Sequence, residues 1–242
     1  MIDILRTIMD NYLVFIIIFI ALIMFIFGNR LRGVLGELKS SNVLNKLPSE
    51  YKKYNDIMLY SDNKTHQIDN VVISKYGIFV IEMKNYQGKV VGNEFGDNWT
   101  QYIGSKKNKF YNPIKQNYGH MRCLSDILNL NMNYFIPVIV FSNETEIDCD
   151  TDYVINLKDL VEYILKHKRV MNIDVDRISE ILEDNNITDR NTRNSHVKEL
   201  KKNVSKDEEL ANKKICPKCG HKMIVKDDKY LKCTSCKYTK DL

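Results

Sequence analysis

At 242 residues the chain has room for one ordinary domain with smaller appendages. Hydrophobic residues make up 44% and charged residues 28%, which excludes disordered and collagen-like classes. The net charge of +5 is unevenly held: residues 186–242 carry 15 Lys/Arg against 8 Asp/Glu, leaving 21 against 23 for residues 1–185. A basic tail on a near-neutral body points either to an anionic partner, such as nucleic acid or lipid headgroups, or to a lysine-rich surface that serves solubility.

The first predicted element is a membrane anchor. Tyr12 to Phe27 is an unbroken apolar run of sixteen residues, a rise of about 24 Å as a helix. Asn11 and Gly28 extend it to roughly the 17–25 residues a bilayer core requires, so a transmembrane helix is expected over about 11–28. Only Arg6, opposed by Asp3 and Asp10, precedes the run and no small-x-small site follows it, which argues against a cleaved signal peptide. Arg30, Arg32 and Lys39 follow closely. The positive-inside rule then gives a single-pass protein of the cell membrane, with the N-terminus outside and the rest cytoplasmic.

Residues 31–47 place Leu31, Val34, Leu35 and Leu38 at helical spacing, with Pro48 as a stop. Strands are predicted at 56–60 and 67–73 around the turn Ser61-Asp62-Asn63-Lys64, and at 77–84 after a turn at Tyr76-Gly77. Short strands at 89–91 and 99–103 lead to Asn112-Pro113, which opens a helix to about Leu130. Pro137–Phe141 reads as a buried strand, 152–157 as another, and 158–168 and 174–185 as helices. The class is α/β: a mixed sheet with helices contributed from both its beginning and its end. The domains expected are an anchor at 1–30, a main domain at 31–185, a polar linker at 186–213 and a small module at 214–242.

That module holds four of the six cysteines, as CPKC (216–219) and CTSC (233–236). Two CxxC turns can point four thiolates at one tetrahedral zinc ion, so Cys216, Cys219, Cys233 and Cys236 are expected to bind one structural Zn2+. The adjoining His221 has no place in a complete four-cysteine shell. A module of this size cannot bury a sufficient core, and the metal would supply its folding energy. Cys123 and Cys149 read as small buried hydrophobes.

The chemistry-bearing pattern lies in the second and third strands. Side chains two apart on a strand share a face, so Glu82 and Lys84 project together while Ile81 and Met83 face the other way. Asp69 on the neighbouring strand can lie opposite them. Two carboxylates and an ammonium suit metal-assisted phosphodiester hydrolysis, in which carboxylates hold a hard cation and a lysine steadies the attacking hydroxide. A purely structural ion pair between Lys84 and a carboxylate accounts equally for the spacing.

Asp69, twelve intervening residues, then Glu82-Met83-Lys84 resembles the metal-binding core of restriction-endonuclease-like enzymes. HQIDNVVISKYGIFVIEMKNYQGKV (66–90), the single Trp99 and NPIKQNYGHMRCL (112–124) resemble the nuclease-related domain, or NERD, family. The resemblance implies that Asp69 and Glu82 ligate Mg2+ or Mn2+ with a main-chain carbonyl of Met83, and that Lys84 assists the water. It also implies that Glu37, in a Gly-Glu pair of the first helix, adds a carboxylate, and that Gln116 orients Lys84 or a phosphate. Taken as isolated helical residues, Glu37 and Gln116 read first as solvated side chains. Asn85 is expected to cap its turn and Tyr86 to pack on the core, while His120 is placed to contact phosphate.

The tail resembles the four-cysteine fingers of bacterial topoisomerases but lacks their longer Gly-Phe and Tyr-Pro signatures. The resemblance implies nucleic-acid binding through Lys218, Lys222, Lys226, Lys229 and Lys232, with Tyr230 or Tyr238 stacking on bases. Ribbons of this kind also dock proteins. Two functions are therefore expected to compete: a membrane-anchored, Mg-dependent DNA nuclease whose ribbon binds nucleic acid, and a non-catalytic tethered module that binds DNA or protein. Neither needs a small-molecule cofactor.

Overall fold

The computed structural model describes Phe15, Phe19, residues 42–62 and 64–195, and in the tail residues 216, 221, 223–226, 230–236 and 238–241. The expected transmembrane helix lies outside the described residues except for Phe15 and Phe19. Among the described residues no helix is long and apolar enough to cross a membrane. Most of the expected helix at 31–47 also lies outside them. Its end is described, with residues 42–44 helical and Leu44 and Leu47 buried. The chain divides into two compact units, Met1–Asn186 and Ile187–Leu242.

The first unit is built on two sheets. Strands β1 (Lys52–Ser61), β2 (Lys64–Ser74) and β3 (Gly77–Lys84) form an antiparallel meander. Beside β3 run β7 (Phe135–Phe141) and β9 (Val154–Asn156), both parallel, giving the order β1-β2-β3-β7-β9. A second sheet has the order β6-β5-β4-β8, with β4 (Gly88–Val91), β5 (Asn98–Ile103), β6 (Lys106–Tyr111) and β8 (Thr145–Asp148). The mixed α/β class is as expected, but the strands divide between two sheets rather than extending one. Strands β6 and β8 carry no apolar alternation: KKNKFY and TEID read as polar loops, and pairing across the turn at Gly104 (φ 57°) makes the first of them a strand.

Alternation along the central strands builds a core on each face of the first sheet. Val71, Ile73, Ile78 and Val80 pack on Met121, Leu124 and Leu128 of helix α1 (Pro113–Leu128), and on Ile178 and Leu182 of α3 (Val175–Asn185). Val72, Phe79, Ile81, Val138 and Val140 face the other way, onto Leu44, Leu47, Leu157 and α2 (Leu160–Lys166). With helices covering both faces, these strands read as nearly continuous apolar runs. A third core joins the sheets, where the Trp99 ring lies parallel to Phe141 with centroids 6.1 Å apart.

Helix α1 is placed by its cap. Asn112 accepts from Ile114 N through its side chain, Pro113 takes the first helical position, and Asn112 Nδ2 donates to the carbonyls of Asn93, Glu94 and Gly96. The helix stops at Leu128, two residues before the expected end, because Asn129 turns left-handed (φ 49°) and returns its N–H to the last turn.

In the second unit, β10 (Met223–Lys226), β11 (Tyr230–Cys233) and β12 (Thr239–Asp241) form an antiparallel sheet over a small core of Cys216, Met223, Leu231 and Cys233, with Tyr238 against it. Residues 190–195 of the expected linker are helical. Cys123 is buried as expected, whereas Cys149 is only half-buried.

Candidate active site

Three elements converge on one end of β3. Strand register sets Val71 opposite Val80 and Asn70 opposite Ile81, which carries Asp69 to the position beside Glu82. Glu82 and Lys84 continue the face of Ile78 and Val80, the face that α1 covers. Helix α1 is tied down there by Asn117, whose buried Nδ2 donates to Val80 O at 2.8 Å. One residue before Asn117 and three after it, Gln116 and His120 are turned toward the strand.

The result is a short chain of polar contacts. Glu82 Oε1 lies 2.7 Å from Lys84 Nζ, and Lys84 Nζ donates to Gln116 Oε1 at 3.0 Å. His120 Nε2 lies 3.3 Å from the other Glu82 oxygen, Oε2. That contact lacks hydrogen-bond alignment, so Oε2 and both His120 nitrogens are buried without hydrogen-bond partners. The side chains of Glu82 and His120 are only 3% and 9% exposed. Asp69, half-buried, accepts from the Met83 backbone N–H at 2.7 Å through Oδ2.

Burial pushes the Glu82 carboxyl up, but His120 and the Lys84 ammonium beside it more than reverse this, holding it below the ordinary carboxylate value. Burial pushes Lys84 down, and the Glu82 charge raises it above its ordinary value. The pair is therefore charged across the neutral range. A buried carboxylate with one oxygen neutralised and the other lacking an aligned hydrogen bond is suited to a hard cation, since a poorly matched buried acceptor otherwise costs about 1–3 kcal/mol. Among the described residues, Asp69, Glu82 and His120 do not form a closed three-ligand cluster.

Of the residues singled out in the sequence, Asp69, Glu82, Lys84 and Gln116 meet here, and Glu37 lies outside the described residues. Tyr86 packs edge-on to Phe110 with ring centroids 4.6 Å apart, as expected of a core residue. Asn117 and the orientation of His120 were not foreseen. Both could have been found as polar residues on the otherwise apolar inward stripe of the helix, spaced with Pro113, Met121, Leu124 and Leu128.

The tail gathers three cysteines. The sulfurs of Cys216, Cys233 and Cys236 lie within 4.8 Å of one another, with Cys216 and Cys236 3.6 Å apart. Thiolates around one tetrahedral zinc stand about 3.8 Å apart, so these three fit a shared ion. Cys216 N donates to His221 O and Cys233 N to Tyr238 O, closing two matching turns, and Ser235 N and Cys236 N point at Cys233 Sγ. Cys219, Lys218, Lys222 and Lys229 lie outside the described residues. Lys226 is exposed and pairs across the sheet with the half-buried Tyr230.

The nuclease-related domain family matches residues 32–142. A curated relative, an uncharacterized protein of Bacillus anthracis, is 31% identical over 184 residues, spanning 72% of this chain and 86% of the relative. No solved structure matches the chain.

Proposed function

The chain belongs to the nuclease-related domain family, and from that membership and the geometry at β3 we propose that it is a membrane-anchored, metal-dependent DNA nuclease of restriction-endonuclease-like fold. The observation that carries this reading is the buried Oε2 of Glu82, which has no aligned hydrogen bond, on a carboxylate already neutralised by Lys84. Asp69 and Glu82, with the Met83 carbonyl, would hold Mg2+ or Mn2+, and the ion when bound supplies Lewis acidity to phosphate and water. Lys84, steered by Gln116 and neutralised by Glu82, would offer its one remaining proton to an attacking hydroxide. Asp69 also accepts from the Met83 backbone N–H through Oδ2, which ties β2 to β3 at this point.

The ribbon acts as the substrate arm. Cys216, Cys219, Cys233 and Cys236 would hold one structural Zn2+, and Lys222, Lys226, Lys229 and Tyr230 would contact nucleic acid. Four thiolates leave zinc no open position for water, so hydrolysis belongs to the carboxylate site. The apolar run at 12–27 would tether both units to the cytoplasmic face of the cell membrane.

The test uses the zinc-loaded full chain in detergent, with single- and double-stranded DNA and Mg2+ or Mn2+, beside Glu82→Ala and Lys84→Ala. Cleavage by the wild type and its loss in both variants supports the proposal. Equal cleavage by all three sinks it. Salt-dependent DNA binding without cleavage, abolished by removing zinc, favours the non-catalytic module instead.

A further inference from the structure

His120 is not accounted for by packing or by hydrolysis as described above. A histidine kept for its bulk in a core normally directs at least one ring nitrogen to a backbone group or a side chain. Neither nitrogen of His120 does so, although the residue is buried. Among the described residues its ion-pair contact is with Glu82 Oε2, itself without a hydrogen-bond partner. The two orphaned atoms face each other at 3.3 Å. Neighbouring ligands of an octahedral ion bound at about 2.1 Å stand about 3.0 Å apart. An oxygen and a nitrogen at this separation can therefore share one cation with little movement.

Direct contact with a substrate phosphate is a poorer account. The side chain is 9% exposed, and its Nε2 is turned to a carboxylate, whose charge repels a phosphate. The helix also holds the ring rigidly, because Asn117, three residues earlier, is anchored to the Val80 carbonyl.

We propose that His120 Nε2 joins Glu82 Oε2 as a ligand of the catalytic cation, making a mixed nitrogen–oxygen centre that takes Mn2+ in preference to Mg2+. Imidazole favours transition metals, whereas Mg2+ is served by oxygen ligands alone. The inference rests on the reading that Glu82 binds metal, and it adds the nature of that metal. His66, whose ring meets His120 edge-on at 6.1 Å, contributes no ligand in this arrangement.

The experiment is pulsed electron paramagnetic resonance on the zinc-loaded full chain, expressed without a polyhistidine tag and titrated with Mn2+. Zinc is silent in this measurement and fills the cysteine site. Wild type is expected to show the nitrogen modulation of one directly bound imidazole, retained in His66→Gln and lost in His120→Gln. His120→Gln should also weaken Mn2+ binding by at least about 10-fold, the loss that even outer-shell partners cause, while Mg2+ affinity stays within about threefold. Mn2+ bound by wild type without nitrogen modulation overturns the proposal whether or not the variant folds. In that case loss of Mn2+ binding in Glu82→Ala leaves the nuclease reading standing. Mn2+ binding indifferent to Glu82→Ala overturns both.

Discussion

Gln116, in the first turn of α1, accepts a hydrogen bond from Lys84 Nζ at 3.0 Å, so a helix residue fixes the direction of a strand ammonium. Without it Lys84 would keep its Glu82 contact but gain freedom to swing. Misplacing a reacting group by an ångström costs up to about 100-fold in rate. Gln116→Ala is therefore expected to lower kcat for DNA cleavage by about 10- to 100-fold with metal affinity unchanged. Gln116→Glu, which keeps the acceptor, should lose less. A change under twofold in Gln116→Ala would show that Glu82 alone positions the lysine.

Asn112 links the second sheet to that helix. It is fully buried, caps α1 and satisfies three carbonyls of the loop at Asn93–Gly96. Asn112→Ala removes the cap, worth about 1 kcal/mol, and the hydrogen bonds to the loop carbonyls, each worth about 0.5–1.5 kcal/mol. A loss of about 2–4 kcal/mol is expected in urea unfolding, with an unchanged m-value. Asn112→Asp keeps the cap but turns a buried carboxylate oxygen on three carbonyl oxygens, so it should be no more stable than Asn112→Ala.

These residues show which parts of the molecule are legible from sequence. Period-two alternation places Glu82 and Lys84 on one face because apolar neighbours on both sides pin the register of β3. Asn112-Pro113 marks the start of α1 through local chemistry. Strand β6 is not legible, since its first four residues, KKNK, are polar and only pairing with β5 makes it extended. The orphaned contact between His120 and Glu82 joins residues 38 apart in the chain. No local pattern records it, because it depends on how α1 lies across β3.

Cys123 supplies a prediction about pH. Burial raises its thiol from an ordinary 9.0 to about 12. A raised value in the folded state means this contribution to stability is complete below 9.0 and lost as pH rises through about 12. At pH 8 the native thiol is protonated and enclosed, hence inert, since the thiolate is the nucleophile. Brief alkylation of the zinc-loaded chain at that pH should modify the half-buried Cys149 and spare Cys123 until the protein is unfolded. Peptide mass spectrometry reads the order directly, and early labelling of Cys123 would contradict the tight packing against Leu124 and Leu128.

Removal of zinc tests the second unit. Its described core consists of Cys216, Met223, Leu231 and Cys233 with Tyr238 alongside, too little apolar surface to hold three strands unaided. The Cys216 and Cys236 sulfurs, 3.6 Å apart, stand at the spacing of two thiolates on one tetrahedral zinc. A strong chelator should therefore release one zinc per chain and collapse the amide protection of residues 223–226 and 230–233, because metal binding in such modules is folding free energy, on the order of 10 kcal/mol. Cys219→Ser and Cys236→Ser should each weaken zinc retention. Retained protection after the metal has gone would mean that the three-stranded sheet stands on its own packing, and that the cysteines serve another purpose.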